Sequence, residues 1–191
     1  MAQNLTAQEE ILLVQSAKSD LSAFAKIYDL YFPKLYGYVV YLVGNHADAE
    51  DIVSETFERA MINLQKYEYR GFTFGAWLFK IARNLVFDRS KAKETLSLSL
   101  DNFENTAIND FGTGQSLHSV ENQVNDQIVA EKLKLMINNL KAEQREVVVL
   151  RYIDGYSISE TAIITGRTED SIKSACKRAL IKLKEQLESE S

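Results

Sequence analysis

Cations and hydroxyl groups recur at helical spacing near the C-terminal end of the chain. From Ser171 to Lys184 there are five Lys and Arg residues and no acidic residue, although the net charge of the whole chain is −5. Lys and Arg neutralise phosphates, and Ser and Thr hydroxyls contact both phosphates and base edges. The pattern predicts a DNA-contacting face made of Arg167, Thr168, Asp170, Ser171, Lys173, Ser174, Lys177 and Arg178. The alternative is a basic helix face that is only solvated.

A second group of cations lies among aromatic residues in FTFGAWLFKIARNLVFDRSK, residues 72–91. Helical spacing places Phe79, Lys80, Arg83 and Phe87 on one face, with Asn84 at its edge. Such a face can hold phosphates and stack unstacked bases, as proteins that bind single strands do. The alternative, which a small helical bundle favours, is that Phe79 and Phe87 pack against other helices.

Acidic residues concentrate on the polar side of NHADAEDIVSETFERA, which is the segment 45–60. An acidic face is repelled by DNA, so this face either contacts a basic protein surface or is only solvated. The acidic residues are Asp48, Asp51, Glu55 and Glu58, and the apolar side carries Ile52, Val53 and Phe57.

The elements that must position these residues are predicted to be helices. Only eight Gly and one Pro interrupt the chain, and apolar residues recur with a period near 3.6. The predicted helices cover about 7–17, 21–43, 47–66 and 73–93, then 121–139, 143–153, 157–165 and 168–188. Pro33 should bend the second helix or mark a helix start. The predicted fold class is therefore all-α.

Local signals near the C-terminal end indicate a helix-turn-helix. Ser157 and Glu160 form a plausible capping box, and Thr168 is a plausible N-cap followed by two acidic residues. Gly166 lies in the turn between the two helices, and the second helix of such a motif enters the DNA major groove. The apolar stripe predicted for that helix is Ile172, Cys176, Ala179, Leu180, Leu183 and Leu187.

The segment between the two basic regions has a different composition. It is rich in Ser, Asn, Gly and Thr, and residues 96–131 contain six acidic residues and no Lys or Arg. A structureless loop of this length is uncommon inside a compact domain. We therefore predict two small helical domains, at residues 1–95 and 121–191, joined by a flexible linker at 96–120.

The composition also argues against several other classes. No apolar run reaches the roughly 18 to 20 residues that span a bilayer, and the N-terminus lacks the features of a signal peptide, so we expect a cytoplasmic protein. No phosphate loop, metal-ligand cluster or activated nucleophile indicates an enzyme or a cofactor. The single cysteine, Cys176, lies on the apolar stripe and is expected to be a core residue.

Taken together, these segments resemble the small two-domain sigma factors of bacterial RNA polymerase, the extracytoplasmic-function (ECF) type. AFAKIYDLYFPKLYGYV, DAEDIVSETFERA and FGAWLFKIARNLVFDRSK are similar to successive parts of sigma region 2. LKAEQREVVVLRYIDGYSISETAIITGRTEDSIKSACKRAL is similar to region 4. The resemblance covers residues from about 20 to 187, apart from the linker.

The resemblance implies a transcription initiation factor that is not an enzyme. Core RNA polymerase, through its β′ coiled coil and β flap, promoter DNA and an anti-sigma factor are the implied partners. Polymerase binding would fall to Asp48, Asp51, Glu55, Phe57 and Glu58. The −10 element would be engaged by Arg70, Lys80, Arg83 and Asn84, and the −35 element by the helix that begins at Thr168. The linker would run toward the polymerase active-site channel.

The chain departs from the family pattern at two positions. Lys141 stands where Pro is common, and Ala175 stands where the recognition helix commonly has a basic residue. A second reading is a stand-alone helix-turn-helix regulator with a helical sensor or dimerisation domain. Such a regulator would bind DNA without polymerase, whereas a sigma factor needs polymerase to space its two DNA-binding surfaces.

Overall fold

The computed structural model describes residues 5–96, 132, 133 and 135–189, with side chains beyond Lys91 described again from Lys132. All regular structure in these residues is helical, and the chain divides into an N-terminal and a C-terminal compact unit. The predicted all-α, two-domain architecture is confirmed. Apart from Leu96, the predicted linker lies outside the described residues, and its boundaries stay predictions.

Four α-helices form the N-terminal unit, and their ends follow local capping signals. The Thr6 and Glu9 side chains form a reciprocal capping box, Asn45 caps the third helix, and Gly44 ends the second with a φ of 77°. The second helix runs through Pro33, so no helix starts there. The helices are α1 (Ala7–Ala17), α2 (Leu21–Val43), α3 (His46–Asn63) and α4 (Phe74–Leu96), with a 3₁₀ turn at Leu64–Lys66.

Large apolar side chains from α2, α3 and α4 meet in the core of this unit. Each contributes roughly 1.5–3 kcal/mol when it is fully buried. Phe79 is fully buried with its ring 5.1 Å from that of Tyr38, so the alternative that a small bundle favours, packing against other helices, is confirmed for Phe79. Trp77 and Ile81 are only half-buried. Other core residues are Ile27, Leu35, Val39, Ile52, Val53, Leu78, Ala82 and Leu85.

Three α-helices and a π-helical turn follow Lys141 in the C-terminal unit. They are α5 (Ala142–Val148), the π turn Val149–Ile153, α6 (Ile158–Thr165) and α7 (Glu169–Ser189). The predicted helix at 143–153 is thus α-helical up to Val148 and π-helical from Val149 to Ile153. Residues 132, 133 and 135–138 are also helical, and the rest of the predicted 121–139 helix lies outside the described residues.

The core of the C-terminal unit is formed by Val147, Ala162, Ile172, Ala175 and Cys176. Cys176 is buried, as predicted. Ala175 was not on the predicted stripe, yet it is fully buried because it follows Ile172 by three positions and precedes Ala179 by four. Two residues predicted to be buried are instead about half exposed, namely Leu180 and Leu187.

Candidate nucleic-acid interfaces

The turn between α6 and α7 orients the second helix of the motif. Gly166 has a φ of 68°, in the left-handed region that glycine adopts without strain, and the Arg167 amide donates to the Ala162 carbonyl at 3.0 Å. The Thr168 hydroxyl then accepts from the Ser171 amide at 3.3 Å. At the start of α6, the Ser157 amide donates to the Glu160 carboxylate at 2.9 Å, and the Glu160 amide donates to the Ser157 hydroxyl at 3.1 Å. The predicted N-cap and capping box are confirmed.

Cations and hydroxyls lie on the exposed side of α7. Lys173, Ser174, Lys177 and Arg178 are all exposed, and the buried residues of α7 lie on the opposite side. Their positions, i, i+1, i+4 and i+5, give one continuous strip along two turns. A strip of this composition can neutralise phosphates and donate hydrogen bonds to base edges.

The cations on this strip differ in their surroundings. The ammonium group of Lys173 lies 3.2 Å from the Asp170 carboxylate and 3.9 Å from that of Glu169. Lys177 and Arg178 make no ion pair with any of the residues that the structure describes. The charge of Lys173 is therefore partly balanced within the helix, and that of Lys177 and Arg178 is not.

Arg167, predicted as a DNA contact, is engaged inside its own domain. Its guanidinium donates to the Ser171 hydroxyl from Nη2 at 2.9 Å and from Nε at 3.2 Å, and Nη2 lies 3.6 Å from the Glu143 carboxylate. The side chain is 20% exposed. The four-residue spacing between Arg167 and Ser171 was a sequence signal for this contact that our prediction did not use.

The candidate face on α4 is narrower than predicted. Lys80 and Asn84 are exposed, and the Arg83 guanidinium lies 4.4 Å above the ring of Phe87, which is 39% exposed. Arg70, in the segment before α4, is exposed and lies 3.4 Å from the Glu68 carboxylate. The structure thus places one cation–aromatic pair on this face rather than the predicted alternation.

Two further cations lie on the same surface of the N-terminal unit. Arg59 and Lys66, from α3 and the 3₁₀ turn, are both exposed, and the Arg59 guanidinium donates to the Glu55 carboxylate that Arg89 of α4 also contacts. Sequence reasoning missed them because both precede the segment 72–91 that carries the predicted face.

The acidic face of α3 is only partly available. Asp51 and Glu58 are exposed, and Asp48 is half-buried and accepts from the Asn45 amide nitrogen at 2.9 Å. Phe57 is buried with its ring 4.5 Å from that of Tyr28, so it supports α3 from within the core.

Glu55 is held by two arginines. Its carboxylate accepts from Arg89 of α4 and from Arg59, each at 2.6 Å. The hydrogen bond from Arg89, followed by that from Arg59, lowers the pKa of Glu55 below its ordinary range. Glu55 therefore joins α3 to α4 in addition to lying on the acidic face.

The two helical units, one of which contains the helix-turn-helix, make this a two-domain, all-α protein. Residues 27–95 match the family Sigma-70 region 2, and residues 130–183 match Sigma-70, region 4. The chain belongs to the ECF RNA polymerase sigma factors of the sigma-70 family.

Individual relatives agree with this membership. The chain is 37% identical over 169 residues to the ECF sigma factor BldN of Streptomyces coelicolor, covering 88% of this chain and 62% of that one. It is 31% identical over 182 residues to SigW of Bacillus subtilis, covering 91% of this chain and 93% of SigW. The chain thus spans less than two thirds of the length of BldN and nearly all of SigW.

Solved structures show the same fold. The sigma factor RpoE of Bartonella quintana, in complex with the anti-sigma factor NepR, has a TM-score of 0.63 at 29% identity and covers 86% of this chain and 96% of its own. CnrH, solved with the cytosolic domain of CnrY, has a TM-score of 0.61 at 22% identity, covers 95% of this chain and 98% of its own, and supports the fold alone. Within the described ranges, no helix is both long and apolar enough to cross a membrane.

Proposed function

We propose that this chain binds core RNA polymerase, directs it to promoters by recognising −35 and −10 elements, and assists promoter melting. One observation carries the proposal. A single chain matches region 2 and region 4 in that order, and each matched region presents its own exposed cationic surface. Two separate surfaces suit two promoter elements that polymerase holds at a fixed distance. The factor itself performs no catalysis and acts in the cytoplasm, where polymerase and its template are found.

The exposed strip of α7 contacts the −35 element in this proposal. Lys177 and Arg178 carry charge that the described residues do not balance, so they gain most from phosphate contact. Ser171 and Ser174 add hydroxyl groups for base edges. Asp170, which is exposed beside Lys173, orients that lysine and limits its contribution to phosphate binding.

The α4 face engages the −10 element. Asn84 offers an amide that can pair with a base edge, and the stacked Arg83 and Phe87 offer a guanidinium over an aromatic ring. Lys80 and Arg70 supply phosphate contacts. With Phe79 buried, base stacking on this helix depends on Phe87 and on the half-buried Trp77.

The acidic face of α3 meets core polymerase. Asp48, Asp51 and Glu58 give a negative surface suited to the β′ coiled coil, and region 4 would contact the β flap. Glu55 and Phe57 contribute by holding α3 in place. Because the related RpoE was solved with the anti-sigma factor NepR, we propose that an anti-sigma factor also binds this chain. No small-molecule substrate is part of the proposal.

A gel-shift assay with and without core polymerase, followed by run-off transcription on genomic DNA, tests the proposal. We expect weak binding by the chain alone, and promoter-specific binding and transcripts once core polymerase is added. Tight, specific binding to duplex DNA by the purified chain alone would contradict it and favour the stand-alone regulator.

A further inference from the structure

Lys18, which caps the C-terminal end of α1, binds the segment that leads from α3 to α4. Its ammonium group donates to the Tyr67 carbonyl at 2.8 Å and, at a longer 3.4 Å, to the Gln65 carbonyl. In the opposite direction, the Gln65 side-chain amide donates to the Lys18 carbonyl. Three hydrogen bonds therefore link residues that lie 47 to 49 positions apart in the chain.

The bound segment depends on partners from outside itself. Residues 67–73 contain no helix, so their backbone groups are not satisfied by a regular ladder of hydrogen bonds. An ammonium group has three donors and no acceptor, which suits it to hold two carbonyls at once. Lys18 is half-buried, and a hydrogen bond from a charged donor is stronger than one between neutral groups.

The side chain of Tyr67 is held by α4. Its ring centroid lies 5.2 Å from that of Phe74 and 5.0 Å from that of Trp77. Phe74 is almost completely buried, so the ring packs against a fixed part of the core. Tyr67 is thus anchored twice, with its backbone held by α1 and its ring held by α4.

The residues beyond this anchor are exposed. All four residues from 68 to 71 are exposed, and Gly71 has a φ of 84°. Arg70 follows Tyr67 by three positions, so its Cα lies within about 10 Å of the anchored residue. The ion pair of Arg70 with Glu68, at 3.4 Å between two exposed side chains, contributes little to its position. The location of Arg70 therefore depends on how firmly Tyr67 is held.

We propose that Lys18 is a positioning residue for the −10 contact, because it holds the backbone of Gln65 and Tyr67 and so orders Arg70 before DNA binds. The proposal rests on the proposed function, in which Arg70 engages the −10 element. Ordering a contact residue in advance lowers the entropy lost on binding. Helix α1 precedes residues 27–95, which match region 2, and it acquires a role in promoter use through Lys18.

Limited digestion of the full-length chain with trypsin, without DNA or polymerase, tests the anchor itself. Lys18→Met keeps the aliphatic stem and removes the donors, so cleavage after Arg70 should be about tenfold faster, the fold-change that loss of a hydrogen bond from a charged group corresponds to. Gln65→Ala, which changes no charge, should accelerate the same cleavage by about fivefold. Cleavage after Arg178 in the C-terminal unit is the internal reference and should not change.

Transcription with core polymerase from a −10-dependent promoter tests the consequence. Lys18→Met and Arg70→Ala should each lower transcription by about fivefold, the value of one hydrogen bond. The double variant should fall no further than Arg70→Ala alone, because Lys18 acts through Arg70. Affinity for core polymerase should stay unchanged in all three variants. Lys26→Met, which removes an exposed cation from α2, is the matched control and should behave as wild type in both experiments.

Other outcomes overturn the proposal in distinguishable ways. If Lys18→Met leaves cleavage after Arg70 unchanged, Lys18 does not hold the segment. If Lys18→Met weakens promoter binding in the Arg70→Ala background and lowers the slope of log affinity against log salt by about one, Lys18 contacts a phosphate directly. If Lys18→Met also lowers polymerase affinity, its role is general stability of the N-terminal unit.

Two further results separate the anchor from its function. Should Lys18→Met fail to fold, as judged by circular dichroism, Gln65→Ala carries the same comparison with Arg70→Ala, and additive effects of those two substitutions would contradict the proposal. If the wild-type chain directs no promoter-specific transcription while the cleavage result holds, the proposed function fails together with the −10 role of Lys18, and the anchor alone is retained.

Discussion

The faces of α4 and α7 differ in how much of each helix the surrounding domain buries. Helix α7 buries one side, so its cations stand on a broad exposed strip. Helix α4 lies against α1, α2 and α3, and up to Lys91 its exposed residues form a narrow edge that includes Lys80, Asn84 and Phe87. A helix packed from several sides has few positions left for a ligand, so single substitutions on α4 have structural as well as functional consequences.

The two helices also begin differently. The first turn of α7 is capped by Thr168, a residue next to it in the sequence. At the start of α4, the Thr73 hydroxyl accepts from the Ala76 amide at 3.2 Å, and the Gly75 amide, 3.4 Å away, donates to the buried Glu10 carboxylate of α1. The position of α4 thus depends on a helix about 65 residues earlier in the chain.

The largest expected effect tests that dependence. Glu10 is 5% exposed and also accepts from the Tyr31 hydroxyl, whose pKa burial raises above its usual range. Glu10→Ala removes the acceptor of that hydroxyl and one hydrogen bond of the Gly75 amide, so we expect a loss of about 2–3 kcal/mol in the free energy of unfolding of the N-terminal unit. Trp77, the single tryptophan, reports this unfolding by fluorescence in urea.

Glu50→Ala is the matched control for this prediction. Glu50 is exposed on α3, and its loss should change the free energy of unfolding by less than about 0.5 kcal/mol. Equal stability of Glu10→Ala and wild type would mean that α4 is positioned without α1.

The next effect concerns function on α4. Asn84→Ala should reduce transcription from a −10-dependent promoter by about tenfold, because a base-edge contact is lost, while affinity for core polymerase stays unchanged. Polymerase affinity is measured by competition with a labelled wild-type chain. A loss of that affinity would place Asn84 in the polymerase interface and contradict the proposed role of α4.

Two lysines of α7, Lys177 and Lys173, differ in how much of their charge acidic neighbours balance. Lys177→Ala should weaken promoter binding of the polymerase complex by about fivefold and lower the slope of log affinity against log salt by about one. Lys173→Ala should have a smaller effect on both quantities, since Asp170 and Glu169 already balance part of its charge. Equal effects of the two substitutions would show that Asp170 and Glu169 move away from Lys173 when the complex binds DNA.

The smallest effect is the pH dependence of the Glu55 contacts between α3 and α4. The pKa of Glu55 is lower in the folded than in the unfolded chain. Its contribution to the free energy of unfolding is therefore present above the ordinary pKa of 4.5 and is lost as the pH falls through the lowered pKa. Because the carboxylate is partly exposed, Glu55→Gln should lower the free energy of unfolding by only about 0.5–1 kcal/mol at pH 7 and by less at pH 3. Urea unfolding at both pH values measures this, with Glu58→Gln as the exposed control.

The sequence by itself determined the helices, the motif and the family. Capping boxes and N-caps at Thr6, Ser157 and Thr168 are contacts between residues three apart, so the local order of residues is enough to predict them. The exposed strip on α7 can also be predicted from the sequence. This helix packs on one side, so its buried and exposed residues follow the helical period.

Only the tertiary structure decided which predicted residues are available. Phe79 and Phe87 look alike in sequence, yet Phe79 is buried against α2 while Phe87 stays at the surface. The burial of Glu10 likewise depends on Tyr31 and Gly75, which lie far from it along the chain. Burial is a property of the neighbours that packing brings together, and a sequence pattern records the spacing within a helix but not what lies against it.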